Sequence, residues 1–269
     1  MRDVFVKEIT QLAEKNKKIV ILAGDIGYKL FDNLIKKFPD RFYNCGVAEA
    51  NMTTVAAGLA LKGFIPITYT IATFNVYKTV EQIKVDICYP NLGVIIVGVG
   101  SGLSYADLGS THHAIEDIGI LRSIPNLNII SPADPMELKS LIPKIINLKE
   151  PVYLRIGKRG EKNIYSKQPK IKIKKWKKIY NGKKICIIAT GNIIISAQEA
   201  MKKLNIAKVY PALVSAYSIK PIDESMMKKI LKDYEYIVVL EEHSAIGGLS
   251  SAISEFVLNF KNKNKFLTL

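Results

Sequence analysis

One acid of this chain stands inside an apolar stretch. Glu49 is the single carboxylate of GVAEANM, and the small and apolar residues AAGLALKG follow shortly after it. Most carboxylates lie in water, because burying an unpaired charge is costly. A carboxyl group held out of water makes stronger hydrogen bonds, which suits it to chemistry. The alternative is that Glu49 only begins a helix, where the helix dipole favours an acid.

A pair of histidines forms a second candidate site. His112 and His113 are two of only three histidines, and they follow the glycine-containing segment GSGLSYADLGST, directly behind an apolar run. Histidine at such a position is suited to proton transfer, the alternative being a structural residue. The nearby acids, Asp107 among them, have no recognised metal-ligand spacing, so we predict no metal site in this chain.

Alternating strand and helix patterns must position these residues. In the first half, KKIVILAGDIG and NLGVIIVGVG read as buried strands, EANMTTVAAGLALKG as a helix ending at Gly63, and Asp134 as the cap of PMELKSLIPKIIN. The alternation restarts at KICIIATG. We therefore expect an α/β fold, with two three-layer α/β domains and mainly parallel sheets, whose functional residues follow the strands.

The two halves are joined by a basic segment. Nine of residues 166–184 are lysine, and lysines alternate with Ile171 and Ile173. This pattern predicts an edge strand or an extended linker on a surface. We place one domain at 1–165, a basic linker at 166–182 and a second domain at 183–269.

Composition limits the remaining function classes. The net charge of +15 comes without a nucleic-acid recognition motif, so we expect scattered surface lysines that at most attract anionic metabolites. Three distant cysteines argue against a disulfide framework and fit a reducing cytoplasm. The N-terminus lacks a signal-peptide pattern, and no apolar run could span a bilayer. We predict a cytoplasmic protein that binds neither nucleic acid nor membrane.

Several motifs, taken in order, resemble the thiamine-diphosphate enzymes of the transketolase group. They are GVAEANM, ATFNVYKTVEQIK, GLSYADLGSTHHAIEDIGILRSIPNLNIISPAD and PVYLRIGKRG, and the segment from KPIDESMM to SSAISE resembles the family's C-terminal domain. The resemblance covers nearly the whole chain and implies a pyrimidine-binding domain plus a C-terminal domain. The GDG…N motif of the family's diphosphate-binding domain is missing, since AGDIG has no suitable asparagine behind it. The chain therefore resembles the smaller subunit of a split transketolase.

The resemblance assigns cofactor roles to several residues. It implies that Glu49 hydrogen-bonds to the aminopyrimidine of thiamine diphosphate and activates the cofactor, and that Phe74 and Tyr77 form an aromatic wall around this ring. Asp25 and Gln82 match polar positions close to the cofactor. Relatives with a further aromatic residue in the wall carry it where this chain has Val80.

It also assigns substrate roles. His112 matches the histidine of the family's T-H-Q loop, which implies hydrogen bonds to substrate and proton shuttling. His113 replaces the glutamine, and either assists or lines the entrance. Arg155 matches an arginine that holds the acceptor phosphate. Asp107 stands next to Leu108, the position at which the family has an acid that contacts the donor.

The implied reaction is two-carbon ketol transfer between sugar phosphates. A second substrate histidine of the family falls near Gly100 here, so donor recognition is expected to differ. A larger partner subunit would bind the diphosphate and Mg²⁺ in an α₂β₂ assembly, and the chain alone would be inactive. A deoxyxylulose-phosphate synthase-like protein and a 2-oxo acid dehydrogenase E1 β-like subunit are the enzymatic alternatives, with the T-H-H loop favouring sugar enzymes. A non-catalytic scaffold or binding protein is the alternative of another class.

Overall fold

The computed structural model describes all 269 residues, which form two sheets flanked by helices. The strands are β1 (Ile19–Ala23), β2 (Phe42–Asn44), β3 (Ile65–Ile71), β4 (Ile95–Val99), β5 (Asn128–Ile130), β6 (Val152–Ile156), β7 (Lys177–Tyr180), β8 (Ile185–Ala189), β9 (Ala212–Ser215), β10 (Ser218–Lys220), β11 (Tyr236–Leu240) and β12 (Lys265–Thr268). The helices are α1 (Arg2–Lys15), α2 (Asp32–Lys37), α3 (Glu49–Leu61), α4 (Ala72–Val76), α5 (Val80–Gln82), α6 (Asp117–Arg122), α7 (Pro135–Ile146), α8 (Ile194–Ile206), α9 (Glu224–Asp233) and α10 (Leu249–Val257).

Both sheets are mainly parallel, as expected. The first has the order β10-β5-β6-β4-β3-β1-β2 and the second β12-β11-β8-β9-β7. Only the β10–β5 and β7–β9 pairs are antiparallel. Alternate residues of β1 enter different apolar cores, Ile19 on one face and Val20 on the other. A strand buried on both faces explains why the sequence shows an unbroken apolar run there.

Two predicted helix ends are confirmed. The Asp134 carboxylate accepts a hydrogen bond from the Glu137 amide at 2.7 Å, which caps α7. Gly63 follows α3 with a φ of +81°, a left-handed conformation that glycine adopts without steric cost.

The helix expected over TVEQIKVDICY is irregular. The short α5 passes into a π-helix at Ile83–Cys88, in which the Tyr89 amide bonds to the Lys84 carbonyl five residues earlier, at 2.9 Å. π-helical turns are frequent near functional sites. No helix in the structure combines the length and the apolar character that crossing a membrane would need.

The two sheets exchange segments across the basic stretch. Residues 177–180, inside the predicted linker, form β7 at the edge of the second sheet, whereas Ile171 and Ile173 pack on the apolar core of the first. In addition, β10 leaves the second half of the chain and pairs with β5 of the first sheet. Neither strand exchange could be read from residue patterns, because each depends on contacts between distant segments.

A buried carboxyl group joins these parts of the chain. Glu137 accepts hydrogen bonds from the Ala133 amide at 2.6 Å, the Tyr165 hydroxyl at 2.9 Å and the Ser215 hydroxyl, on β9, at 3.1 Å. Burial raises the pKa of Glu137 to about 7. The junction of the two sheets therefore contains a group that titrates near neutral pH.

Candidate active site

The candidate residues follow the carboxyl ends of neighbouring parallel strands. Glu49 comes after β2, Phe74 lies on α4 directly after β3, and the loop with His112 begins after β4. Ligand sites of parallel sheets form at this edge, because loops from several strands meet there.

Glu49 is buried although it carries a charge. The side chain begins α3, is only 1% exposed and makes no helix-capping hydrogen bond. One oxygen, Oε2, lies 3.2 Å from the ammonium group of Lys78, whereas Oε1 is buried without any hydrogen-bond partner. Buried polar atoms are nearly always paired, so an unpaired acceptor indicates that a donor from outside the chain belongs there. The helix dipole alone would not explain this burial.

Lys78 links Glu49 to an aromatic group. Its Nζ atom lies 5.0 Å from the ring centroid of Phe74, whose ring in turn packs edge-on against His112 at 5.2 Å between centroids. Tyr105 packs edge-on against the other side of His112 at 5.6 Å. Lys78 was not predicted as a site residue. The sequence signal was its place one residue after Tyr77, in a motif already assigned to the site.

The two histidines point to different partners. The Nδ1 atom of His112 lies 2.8 Å from the Thr111 hydroxyl, and the Thr111 carbonyl accepts from the Thr73 hydroxyl at 2.9 Å. The Nε2 atom of His113 lies 3.2 Å from the Ala106 carbonyl. The protein thus occupies Nδ1 of His112, and the hydrogen bond from Thr73 ties its loop to α4.

Tyr77, Asp25, Gln82 and Asp107 are less directly connected to this group. The hydroxyl of Tyr77 bonds to Glu116 at 2.6 Å, and burial together with this bond raises its pKa. Asp25 is exposed and accepts from the Asn44 amide at 3.0 Å. The Oε1 atom of Gln82 is buried without a partner. The side chain of Asp107 is exposed on a single 3₁₀ turn. None of the four is hydrogen-bonded to Glu49 or His112.

The predicted phosphate-binding role of Arg155 needs correction. Arg155 is 2% exposed; its Nε donates to Asp117 at 2.8 Å, and its Nη2 to the carbonyls of Ala114 and Glu242, at 2.7 and 3.0 Å. A guanidinium group enclosed in this way is not open to a substrate phosphate. The sequence could not show this, because the burial depends on Asp117 and on the distant Glu242.

Other cations line a cleft beside the site. Lys158 follows β6, and its Nζ lies 4.3 Å from the ring centroid of Tyr105, which packs on His112. A cavity of about 270 Å³ next to it is lined by Arg2, Lys29, Lys158 and Arg159, among others. Sequence reasoning missed these residues, although GKRG directly follows the strand VYLRI. No three His, Cys, Asp or Glu side chains are grouped in a way that could hold a metal ion.

The arrangement offers three functions at one edge of a sheet. Glu49 presents an unpaired buried acceptor, Phe74 presents an apolar ring face, and His112 presents a nitrogen for proton transfer. An aminopyrimidine ring has a flat apolar face and ring nitrogens that can hydrogen-bond. The residues present therefore fit thiamine diphosphate, on the evidence of the unpaired Oε1 atom.

Comparison with known proteins agrees with the fold and the motifs. The family profile "Transketolase, pyrimidine binding domain" matches residues 1–160, and "Transketolase, C-terminal domain" matches residues 174–267. One of the two subunits of the apulose-4-phosphate transketolase of Actinobacillus succinogenes is 36% identical over 223 residues, covering 83% of this chain and 72% of that protein.

A solved structure and an alternative relative complete the comparison. The structure, described as "Split gene transketolase, inactive beta4 tetramer", has a TM-score of 0.90 and 32% identity, and the match covers 99% of this chain and 87% of that chain. The 1-deoxy-D-xylulose-5-phosphate synthase of Caldanaerobacter subterraneus is 34% identical over 259 residues, yet the match covers only 41% of that protein. The chain belongs to the transketolase family, as a counterpart of one of the separate subunits found in its split members.

Proposed function

We propose that this chain is the smaller subunit of a thiamine-diphosphate-dependent transketolase that moves a two-carbon ketol unit between sugar phosphates. The observation that carries the proposal is the buried Oε1 atom of Glu49, which has no partner within the chain. A scaffold protein without catalysis would have no use for such an atom, because leaving it unpaired lowers stability.

Glu49 and Phe74 would hold the aminopyrimidine ring of the cofactor. The Oε1 atom of Glu49 would accept or share a proton with a ring nitrogen, and the Phe74 face would exclude water from the ring. Tyr77, Gln82 and Asp25 remain proposals for further contacts. When bound, thiamine diphosphate supplies the carbanion and the electron sink that ketol transfer requires.

His112 is the residue we propose for proton transfer at the substrate. Thr111 fixes its Nδ1 atom, and the rings of Phe74 and Tyr105 hold its plane from two sides. The Nε2 atom is then the nitrogen left to exchange a proton with a substrate hydroxyl or carbonyl. His113 and Asp107 remain candidates for lining the entrance.

The sugar phosphate would be held by the cationic cleft. Lys158, Arg159 and Arg2 line the cavity beside Tyr105, and each is charged at neutral pH. Their grouping suits a phosphate dianion better than the buried Arg155. This cleft also favours a phosphorylated sugar over an uncharged substrate.

A larger partner subunit would complete the site. An exposed apolar surface adjoins Glu49: Val47 and Val55 lie around the start of α3, and Val85 and Tyr89 lie on the neighbouring π-helical segment, with Tyr89 86% exposed. Extensive exposed apolar surface marks protein contacts. We propose that this surface meets a subunit that binds the diphosphate and Mg²⁺, in an α₂β₂ complex. The free cysteines fit a reducing cytoplasm.

The test is reconstitution with the partner. Tagged chain should co-purify from its host with a thiamine-diphosphate-binding subunit, and the complex should transfer ketol units from ketose phosphates to aldose phosphates. Formation of deoxyxylulose phosphate from pyruvate would instead support the synthase alternative. A complex that is equally active with Glu49→Ala would overturn the catalytic assignment.

A further inference from the structure

The loop that carries His112 is closed at its base. The Gly102 amide donates to the Ala114 carbonyl at 3.1 Å, and the Ala114 amide donates back to Gly102 at 3.0 Å. We call residues 102–114 the substrate loop. Because its two ends are joined, whatever holds Ala114 also determines where His112, two residues earlier, is placed.

The second domain holds that base from behind. Through its Nη2 atom, Arg155 bridges the Ala114 carbonyl and the Glu242 carbonyl, the latter from the segment after β11. Two residues further, the Ser244 amide donates to the Ile115 carbonyl at 2.6 Å. We call residues 241–248 the clasp.

His243 makes the third contact of the clasp. Its Nε2 atom accepts a hydrogen bond from the Gly119 amide at 3.1 Å, and its Nδ1 lies 2.8 Å from the Ser244 carbonyl. A carbonyl only accepts, so the proton sits on Nδ1 and Nε2 is the acceptor. The same histidine therefore joins α6 to the clasp and stiffens the clasp itself.

Backbone packing at the clasp leaves no room for a side chain. Gly247 has a φ of +85°, and a Cβ atom there would lie 2.7 Å from the Cα atom of Gly119. Arg122, at the end of α6, donates to the Gly247 carbonyl at 2.9 Å. The two glycines after His243 thus let the backbones of the two domains approach closely.

We propose that the clasp of the C-terminal domain is a positioning element for His112. The domain contributes no group to the reacting atoms, but its contacts with Ala114, Ile115 and Gly119 fix the base of the substrate loop. This inference rests on the proposed function of His112, and it gives the second domain a role in the site beyond packing.

The test is hydrogen–deuterium exchange on the isolated chain, without cofactor or partner. His243→Phe removes the acceptor for the Gly119 amide, whereas His243→Gln keeps an acceptor oxygen on a side chain of similar reach. We expect His243→Phe to accelerate amide exchange in residues 102–119 by roughly fivefold or more, as loss of one hydrogen bond predicts. Residues 49–61 of α3 should keep their exchange rate, and His243→Gln should stay close to the unmodified chain.

Two results would overturn the proposal. One is unchanged exchange of 102–119 in His243→Phe, and the other is an equal acceleration in α3, which would mean general destabilisation. Should His243→Phe fail to fold, Gly119→Ala serves instead, because its Cβ would press on the Ile246 carbonyl at 3.2 Å. The same two criteria apply to it.

The reconstituted enzyme provides a separate readout. His243→Phe should lower kcat several-fold while the concentration of thiamine diphosphate needed for half-maximal activity stays the same, and His243→Gln should restore kcat. An inactive complex would count against the proposed function alone, since the exchange result does not depend on turnover.

Discussion

Replacing Glu49 by methionine should stabilise the isolated chain while it removes activity from the complex. In the structure Oε1 is buried and unpaired, and Oε2 has only Lys78, whose side chain is 50% exposed. An unpaired buried acceptor costs roughly 1–3 kcal/mol. An ion pair with a half-exposed lysine contributes about 1 kcal/mol or less. Methionine has a similar length and no polar atom to satisfy.

The difference predicts a gain of about 1 kcal/mol in the free energy of unfolding, or about 2–4 °C in Tm. Urea unfolding of the isolated chain measures it. The matched control is Glu14→Met, because Glu14 pairs with Lys37 at 2.6 Å with both side chains well exposed. This control should change stability by less than about 0.5 kcal/mol.

In the complex, Glu49→Met should lower turnover by roughly 10²–10⁴-fold, the range for loss of an acid–base group. A structural acid would behave in the opposite way. If Glu49→Met costs more than about 1 kcal/mol of stability, the carboxylate is satisfied within the fold. Its Oε1 atom would then be no sign of a ligand from outside the chain, and the reasoning would be refuted.

Three further predictions concern the neighbouring groups. His112→Ala should reduce kcat by roughly 10²-fold or more and His113→Ala by much less, because only His112 is held between two aromatic rings; steady-state kinetics would show equal losses if this is wrong. Lys158→Ala should raise KM for a phosphorylated acceptor severalfold and leave KM for its unphosphorylated analogue unchanged, with exposed Lys202→Ala as the control. Glu137 has a folded pKa raised from 4.5 to about 7, so the folded state binds its proton more tightly. The free energy of unfolding should therefore fall by about 1.4 kcal/mol per pH unit between these values, and the Glu137→Gln chain should lack this component.

Much of the architecture follows from local patterns. Unbroken apolar runs indicated the buried strands β1, β4 and β6, and Asp134 and Gly63 marked helix ends. These signals are readable because a strand covered on both faces and a capped helix each impose their own residue types. The helix α1, the short strands β2 and β10, and the edge strand β12 were not recognised, since they are short or depend on distant partners.

The site was only partly predictable. Glu49 and His112 stood out through their residue types and surroundings, and Phe74 through its motif. Arg155 was misread because its neighbours, Asp117 and Glu242, come from other parts of the chain. Lys78 and Lys158 were overlooked, because one lysine among many carries no signal until its contacts with aromatic rings are known.

The pairing of β10 with β5 limits how such a polypeptide can be recombined during evolution. A gene break inside the lysine-rich segment would appear to separate two modules, yet it would strip the first sheet of its outermost strand and leave β5 as an open border prone to self-association. Viable shuffling within the family should therefore keep both halves together as one inherited unit, even where the diphosphate-binding portion has become a separate gene.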